Sequence, residues 1–551
     1  MIVTSNKLFN YIRCRRFAAL HDANAETDPY KNDDYYHKSL SKFKDIFLGL
    51  NYKENMSYEK DINLTYDFHH DFTLSENFDF IFDDQDIYIM VTESSKHFLN
   101  LKYKQIDQTH QLFKKNAEGY YKLVKHVKNS ENYDDKIKKM KSRSELTGQI
   151  ILKYAFLQYL YKNVYPKKQF NMYVVMLNED YIHDGIAFNK MLYHVFDLSN
   201  IDDLDNQIEI ALFRMINHIE LNDFTPCELV RNACLIGKEM QCKFVDFCYG
   251  HLPKANSILD YFDSHLGFKE PLKNTTLHHD TYELLNEGYI KMQDIPLDWI
   301  THKNRLMQRY CLDNDVQYVN KEKVSLMFDR LKYPLTYLDL SLMPTIIPKF
   351  KGERPFENLG FQYSIYYQNK DCTLTINDKN FINSFKETRT DTRTAFADRF
   401  AEHLLEYEGS IIVYNKPKLL SVIESIKIVF PTLSTKFDMI SKRLIDILDI
   451  LQIDAKYLRS LKKSDLDLST YNFYDNRLSG SYLRKNLAGI FDLAEMNQLP
   501  IHDDKNEYKT FRLYNDFVGE SRRKAKNHMI DYSQHKAYLL YKIIHKLDQM
   551  I

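Results

Sequence analysis

Apolar positions along this 551-residue chain follow two different periods. Short continuous or alternating runs of aromatic and β-branched residues predict strands over 78–82, 86–91, 120–124 and 171–178. Helical spacing predicts amphipathic helices over 1–22, 145–161 and 206–221; the first is capped by Ser5 or Asn6 and has Leu8, Tyr11, Phe17 and Leu20 on its apolar side. Residues 253–332 are mostly helical in period, with breaks at Pro271 and Pro296. A strand over 335–340 then runs into Pro344 and Pro348, which predict a loop. A second strand over 359–366 follows the 352–355 turn cluster. A helix over 395–408, a buried strand over 409–415, a tight turn at Gly480 and a long closing helix over 527–550 complete the pattern. The expected class is α/β, divided into 1–252, a largely helical connector over 253–330, and 331–551.

Composition narrows this little. Basic and acidic residues nearly cancel, 75 against 76, so any nucleic-acid contact has to come from a local patch. An apolar share of 44% excludes a wholly disordered chain. Without an apolar run of about 18 residues or a leader pattern, the expectation is a soluble cytoplasmic protein with no membrane partner. Lysines cluster over 122–143, which reads as a solvated loop or a phosphate contact. His278 and His279 lack a second ligand pair at helical spacing and read as surface residues.

Two features carry candidate chemistry. Asp339 lies inside the apolar 335–340 run, where a carboxylate is costly unless paired or bound to metal; the plainer reading is a strand-end cap. Four cysteines, Cys227, Cys234, Cys242 and Cys248, crowd a short stretch, and the seven in the chain are too few and uneven for a disulfide framework. Such thiolates suit an iron–sulfur cluster, or zinc if tetrahedral, against a metal-free fold that keeps former ligands.

The run Leu338-Asp339, then Ile347-Pro348-Lys-Phe350-Lys-Gly352-Glu-Arg354-Pro355-Phe356, then Phe361-Gln-Tyr-Ser364 resembles the signature of the bacterial domain-of-unknown-function 2779 family. Leu177-Asn178 with Tyr181 and Gly185, Cys242-Lys-Phe-Val-Asp-Phe-Cys248, Arg443-Leu-Ile-Asp446 and Gly480-Ser-Tyr-Leu-Arg-Lys485 resemble it at matching places. Its members join a RecB-like nuclease region, as in CRISPR-associated iron–sulfur nucleases, to a DnaQ-like exonuclease domain of RNase H fold. The resemblance implies a restriction-endonuclease-type domain over 1–252 and an RNase H-like domain over 331–551. It also implies Cys14, flanked by Arg13, Arg15 and Arg16, as first ligand of a cluster closed by Cys242 and Cys248, with Cys234 or Cys227 replacing the family's second ligand.

The sequence departs from the family where metal should bind. Where members carry Asp-Phe-Glu-Thr, this chain has Asp339-Leu-Ser-Leu342; the later Tyr-Asn-x-x-Phe-Glu becomes Tyr414-Asn-Lys-Pro-Lys-Leu419. The closing Tyr-Cys-x-x-Asp becomes Tyr532-Ser-Gln-His535-Lys536, in which His535 can ligate a transition metal but Lys536 repels cations. The PD-(D/E)xK core expected over 61–127 keeps a lysine at Lys128 or Lys141 without its glutamate, and Glu93 and Lys96 are spaced one residue too far. Two-metal hydrolysis needs several carboxylates per site. The expectation is therefore a degenerate nuclease relative that binds nucleic acid or a protein partner. The alternatives are a Mg- or Mn-dependent exonuclease rebuilt around Asp339, Asp391 and Asp446, and a structural protein without nucleic-acid contact.

Overall fold

The computed structural model describes all residues except 24–33, 55, 84, 126–129, 143–144, 222–233, 237–239, 243, 371–380, 386–390, 453–469 and 515. The chain divides into two compact units, Met1–Gly250 with Thr345–Glu357, and His251–Pro344 with Asn358–Ile551. Among the described residues no helix is long and apolar enough to cross a membrane.

The first unit is built on eight strands: β1 (Ile2–Val3), β2 (Tyr58–His69), β3 (Phe72–Phe82), β4 (Asp86–Ser94), β5 (Phe113–Lys115), β6 (Tyr121–Leu123), β7 (Asn171–Leu177) and β8 (Tyr193–Asp197). Their order is β1-β3-β4-β7-β8-β6-β5, with β2 also paired to β3. The central pair, β4 and β7, is parallel. Alternation explains why these strands read as unbroken apolar runs. Ile87, Ile89, Met172, Val174 and Met176 face one core, while Met90, Val175 and Leu177 face another, so both sides of the sheet are covered. β2, absent from the predicted strands, turns Ile62, Leu64, Tyr66 and Phe68 to the core and leaves Asn63, Thr65 and Asp67 exposed, an alternating half-buried edge strand rather than a continuous apolar run.

The predicted first helix is two helices, α1 (Ser5–Arg13) and α2 (Arg15–Ala23), broken where Cys14 adopts an extended backbone. Its cap is Thr4, which accepts a bond from Lys7 N; Ser5 is instead tied to Glu76. α3 (Asp34–Asn51) buries Phe43 and Phe47 against Phe80 and Phe82. α4 (Leu146–Val164) and α5 (Leu204–Glu220) cover the opposite face with α1.

The second unit carries a five-stranded sheet of β9 (Leu335–Pro344), β10 (Asn358–Gln368), β11 (Phe381–Phe385), β12 (Ile411–Val413) and β13 (Leu444–Asp446), ordered β11-β10-β9-β12-β13. The first three in the chain form an antiparallel meander, and β12 and β13 run parallel to β9. β9 continues to Pro344, beyond the predicted break, because β10 pairs it past a bulge between Ser341 and Leu342. α6 (Arg393–Leu405), α7 (Lys416–Val429) and α8 (Ser434–Arg443) pack on the face that carries Leu338. After α9 (Arg484–Ile490) and α10 (Asp504–Leu513), the 32-residue α11 (Gly519–Met550) covers the face that carries Tyr337.

Residues 253–330, expected as a separate connector, cluster with the second unit. They are also less helical than their period implies, since they include a hairpin, Phe268–Pro271 with Thr276–His279. Polar contacts anchor them, which apolar periodicity could not show. Arg305, 2% exposed, donates to the carbonyls of Phe262, Gly267 and Asp263, and Gln308 donates to Asp260 O.

Candidate functional site: a lysine seated among buried carboxylates

Strand alternation turns Tyr337, Asp339 and Ser341 to the α11 side of β9, leaving Leu338 to the other core. Asp339 is therefore buried, at 2% exposure, and its surroundings decide its chemistry. From α11, Lys536 places Nζ 3.1 Å from Asp339 Oδ2, 2.7 Å from Glu507 Oε2 and 3.3 Å from Asp504 Oδ1. The same ammonium donates to Ser341 Oγ at 3.1 Å, while that hydroxyl donates to Glu507 Oε1 at 2.6 Å. Arg484, at the start of α9, brings Nη2 to 3.1 Å from Asp339 Oδ1 and Nη1 to 3.2 Å from Asp504 Oδ1, with its guanidinium over the Tyr414 ring. Ser533 donates to Asp339 Oδ2 at 3.2 Å.

Two cations thus face three carboxylates. Burial alone would push the Lys536 ammonium toward neutrality, but Asp339, Glu507 and Asp504 outweigh it and raise its pKa. Burial works against Arg484 too, and Asp504 and Asp339 again reverse it. Asp504 lies half-exposed at the rim; the positive charges of Lys536 and Arg484 overcome its desolvation and hold it below the usual carboxylate range. Glu507 bears the deficit, because one ammonium serves three acids. Burial first, then Asp339 and Asp504, push its carboxyl up to about 7 against the pull of Lys536. A cleft of about 220 Å³ opens beside this cluster, with Lys418, Arg484, Lys536 and Asp504 in its walls.

The other expected acids do not join Asp339. Asp391 pairs through both oxygens with Arg393 at 2.9 Å. Asp446 ends β13 and accepts from the backbone N–H groups of Asn415, Lys416 and Leu448. His535 turns Nδ1 to Asp531 O at 2.7 Å. Among the described residues no group of three or more His, Cys, Asp or Glu is arranged to hold a metal ion. A divalent ion does not fit the Asp339 site as built, because an ammonium already stands within hydrogen-bonding reach of its acids.

Sequence reading missed Arg484, Asp504 and Glu507. The latter two come from a helix whose residues, DKNEYKTFRL, look solvated. A signal was present in α11, where Lys536 lies on the buried stripe of Met529, Tyr532, Leu540 and Ile543. A cation on such a stripe demands a buried acid partner.

The first unit repeats the theme. Asp79 on β3 is 6% exposed, accepts from Met90 N at 2.7 Å and pairs with Lys44 Nζ of α3 at 2.5 Å. Burial opposes the Lys44 charge, but Asp79 and Asp61 prevail and raise its pKa. Glu93 lies on the next strand, its carboxyl pushed up by burial. The misfit spacing of Glu93 and Lys96 has a structural counterpart: the β4–β7 register jumps between Val91 and Ser94. Lys96 is drawn away to Glu179 and Asp180, at 2.7 and 2.9 Å. Lys128 lies outside the described residues; Lys141 donates to Asp202 O at 3.2 Å.

Of the expected cluster ligands, Cys227 lies outside the described residues. Cys234 is buried and its carbonyl accepts from Cys242 N at 2.7 Å. Burial pushes the Cys242 and Cys248 thiols up, while Arg13 pulls the first and Arg16 the second back down; Cys14 lies close enough to influence both.

Residues 336–482 match a family described as Domain of unknown function (DUF2779). The match begins in β9 and stops two residues short of Arg484, so it includes Asp339 and excludes Asp504, Glu507 and Lys536. No curated protein and no solved structure matches the chain.

Proposed function

We propose that this protein is a relative of metal-dependent nucleases in which lysine side chains stand where cations would be held, and that it acts by binding nucleic acid or as a component of a complex rather than by hydrolysis. The observation that carries this reading is Lys536 Nζ among Asp339, Glu507 and Asp504. A metal pair that stabilises attacking and leaving oxygens needs open coordination positions, and a protonated amine has none to offer. The second unit supports an RNase H-like, DnaQ-type ancestry through its antiparallel meander continued by two parallel strands, with Asp339 on the central one. The first unit supports a RecB-like ancestry through Asp79 and Glu93 on adjacent strands beside a lysine. The separate partners of Asp391 and Asp446 weigh against a rebuilt exonuclease site.

Purified protein with Mg²⁺ or Mn²⁺ should leave single- and double-stranded DNA and RNA intact. Metal-dependent cleavage that disappears in Asp339→Ala would overturn the proposal. Binding of DNA that weakens steeply with salt supports nucleic acid as the partner, and its absence favours a purely structural role. A cysteine-held iron–sulfur or zinc centre is a separate proposal, supported by the mutual influence of Cys14, Cys242 and Cys248. It requires their sulfurs to draw together, and anaerobic purification with an absorbance spectrum and metal analysis tests it.

A further inference from the structure

The first unit contains a cavity of about 850 Å³ between α1, α4 and α5. Its size is that of a small-molecule site, which runs to roughly 300–1,000 Å³. Charge in its walls is one-sided: Arg13, Arg15, Arg214 and Lys141 line it, and no Asp or Glu does so among the described residues. Its floor is apolar, made by Ile151 and Ala155 of α4 and Ile208 of α5. Phe9 and Tyr11 add aromatic faces, and the Tyr11 ring lies 6.0 Å from that of His218.

A chain with almost equal basic and acidic residues does not gather four cations around one apolar hollow for solvation. Held partners are already visible at the rim. Arg15 Nη1 lies 3.2 Å from His218 Nδ1, and Lys141 donates to Asp202 O at 3.2 Å, so these groups are positioned rather than free to scatter. Guanidinium forks match phosphate oxygens two at a time, and aromatic rings with an apolar floor suit a flat, weakly polar body.

We infer that this cavity binds a nucleoside phosphate, with the phosphate against Arg13, Arg15, Arg214 and Lys141 and the base over the apolar floor. The ligand chemistry is the same whether it comes from a free nucleotide or from the phosphorylated end of a nucleic-acid strand. The site lies wholly within the first unit and involves none of the residues around Lys536, so either can fail without the other.

Titration calorimetry on the full chain, with ATP, a 5′-phosphorylated single-stranded oligonucleotide and its unphosphorylated counterpart, tests the inference. Saturable binding is expected for ATP, for the phosphorylated strand, or for both, and the pattern identifies the source. Arg214→Gln and Lys141→Gln, on solvent-accessible side chains, should each weaken binding about tenfold. Ala211→Trp, which fills the cavity and leaves its charge unchanged, should abolish binding. The inference is overturned if neither phosphorylated probe binds at millimolar concentration, if the unphosphorylated strand binds equally well, or if Ala211→Trp, shown folded by circular dichroism, binds like the parent.

Discussion

The ammonium of Lys536 lies 2.7 Å from the carboxylate of Glu507, with the two side chains only 1% and 2% exposed. Taking two charges out of water is expensive, and the pair survives because Asp339, Ser341 and Asp504 also engage the ammonium. What the arrangement contributes to stability is therefore best exposed by removing one member at a time.

Replacing Lys536 by Met should destabilise the protein by about 3–5 kcal/mol, since Asp339 and Glu507 then keep their burial without their cation. Combining Lys536→Met with Asp339→Asn and Glu507→Gln should recover most of that loss. Guanidinium denaturation of the single and combined variants measures the coupling. Simple additivity of the losses would show that the three groups do not act as one cluster.

Metal response provides a second prediction. Mn²⁺ should leave the melting temperature of the parent unchanged. Lys536→Ser vacates the space between Asp339, Glu507 and Asp504, and Mn²⁺ at a hundred times its Kd should stabilise that variant by about 2.7 kcal/mol. A parent protein that Mn²⁺ stabilises through Asp339 would mean the ammonium yields to the ion.

The pH dependence follows from Glu507. Its carboxyl is raised to about 7 when folded, from the ordinary 4.5 of an exposed glutamate, so between these pH values the folded state holds the extra proton. Stability should therefore fall as pH rises from about 4.5 to about 7 and level off above. Asp504, held low, works the opposite way: its contribution is present above the unfolded carboxylate pKa and is lost as pH falls further. Denaturation midpoints across this range should lose the downward slope in Glu507→Gln relative to the parent. An identical slope in both proteins would assign the proton elsewhere.

Gly480 has φ +64°, and a Cβ there would stand 2.1 Å from Asp260 O. Gly519 has φ +55° with nothing within 4 Å of its would-be Cβ. Gly519→Ala should cost only the left-handed backbone penalty, about 1–2 kcal/mol. Gly480→Ala should add an overpacking cost of about 1–3 kcal/mol, read as a larger drop in melting temperature.

The amino-acid order by itself determined the local periods. The continuous apolar runs of β4 and β7, the buried strand β12 and the stripe of α11 all follow from residue spacing, because a strand repeats every two residues and a helix every 3.6. It also marked Asp339 as a carboxylate in need of a partner and the tight turn at Gly480, and it set Ser341 and Lys536 where the resemblance implied acids. The partner itself was beyond its reach. Asp339, Arg484, Glu507 and Lys536 are separated by long stretches of chain and meet only because β9, α9, α10 and α11 converge on one face of a sheet. Whether a buried acid grips a metal or an ammonium depends on the few ångströms around it, and only tertiary packing sets those distances.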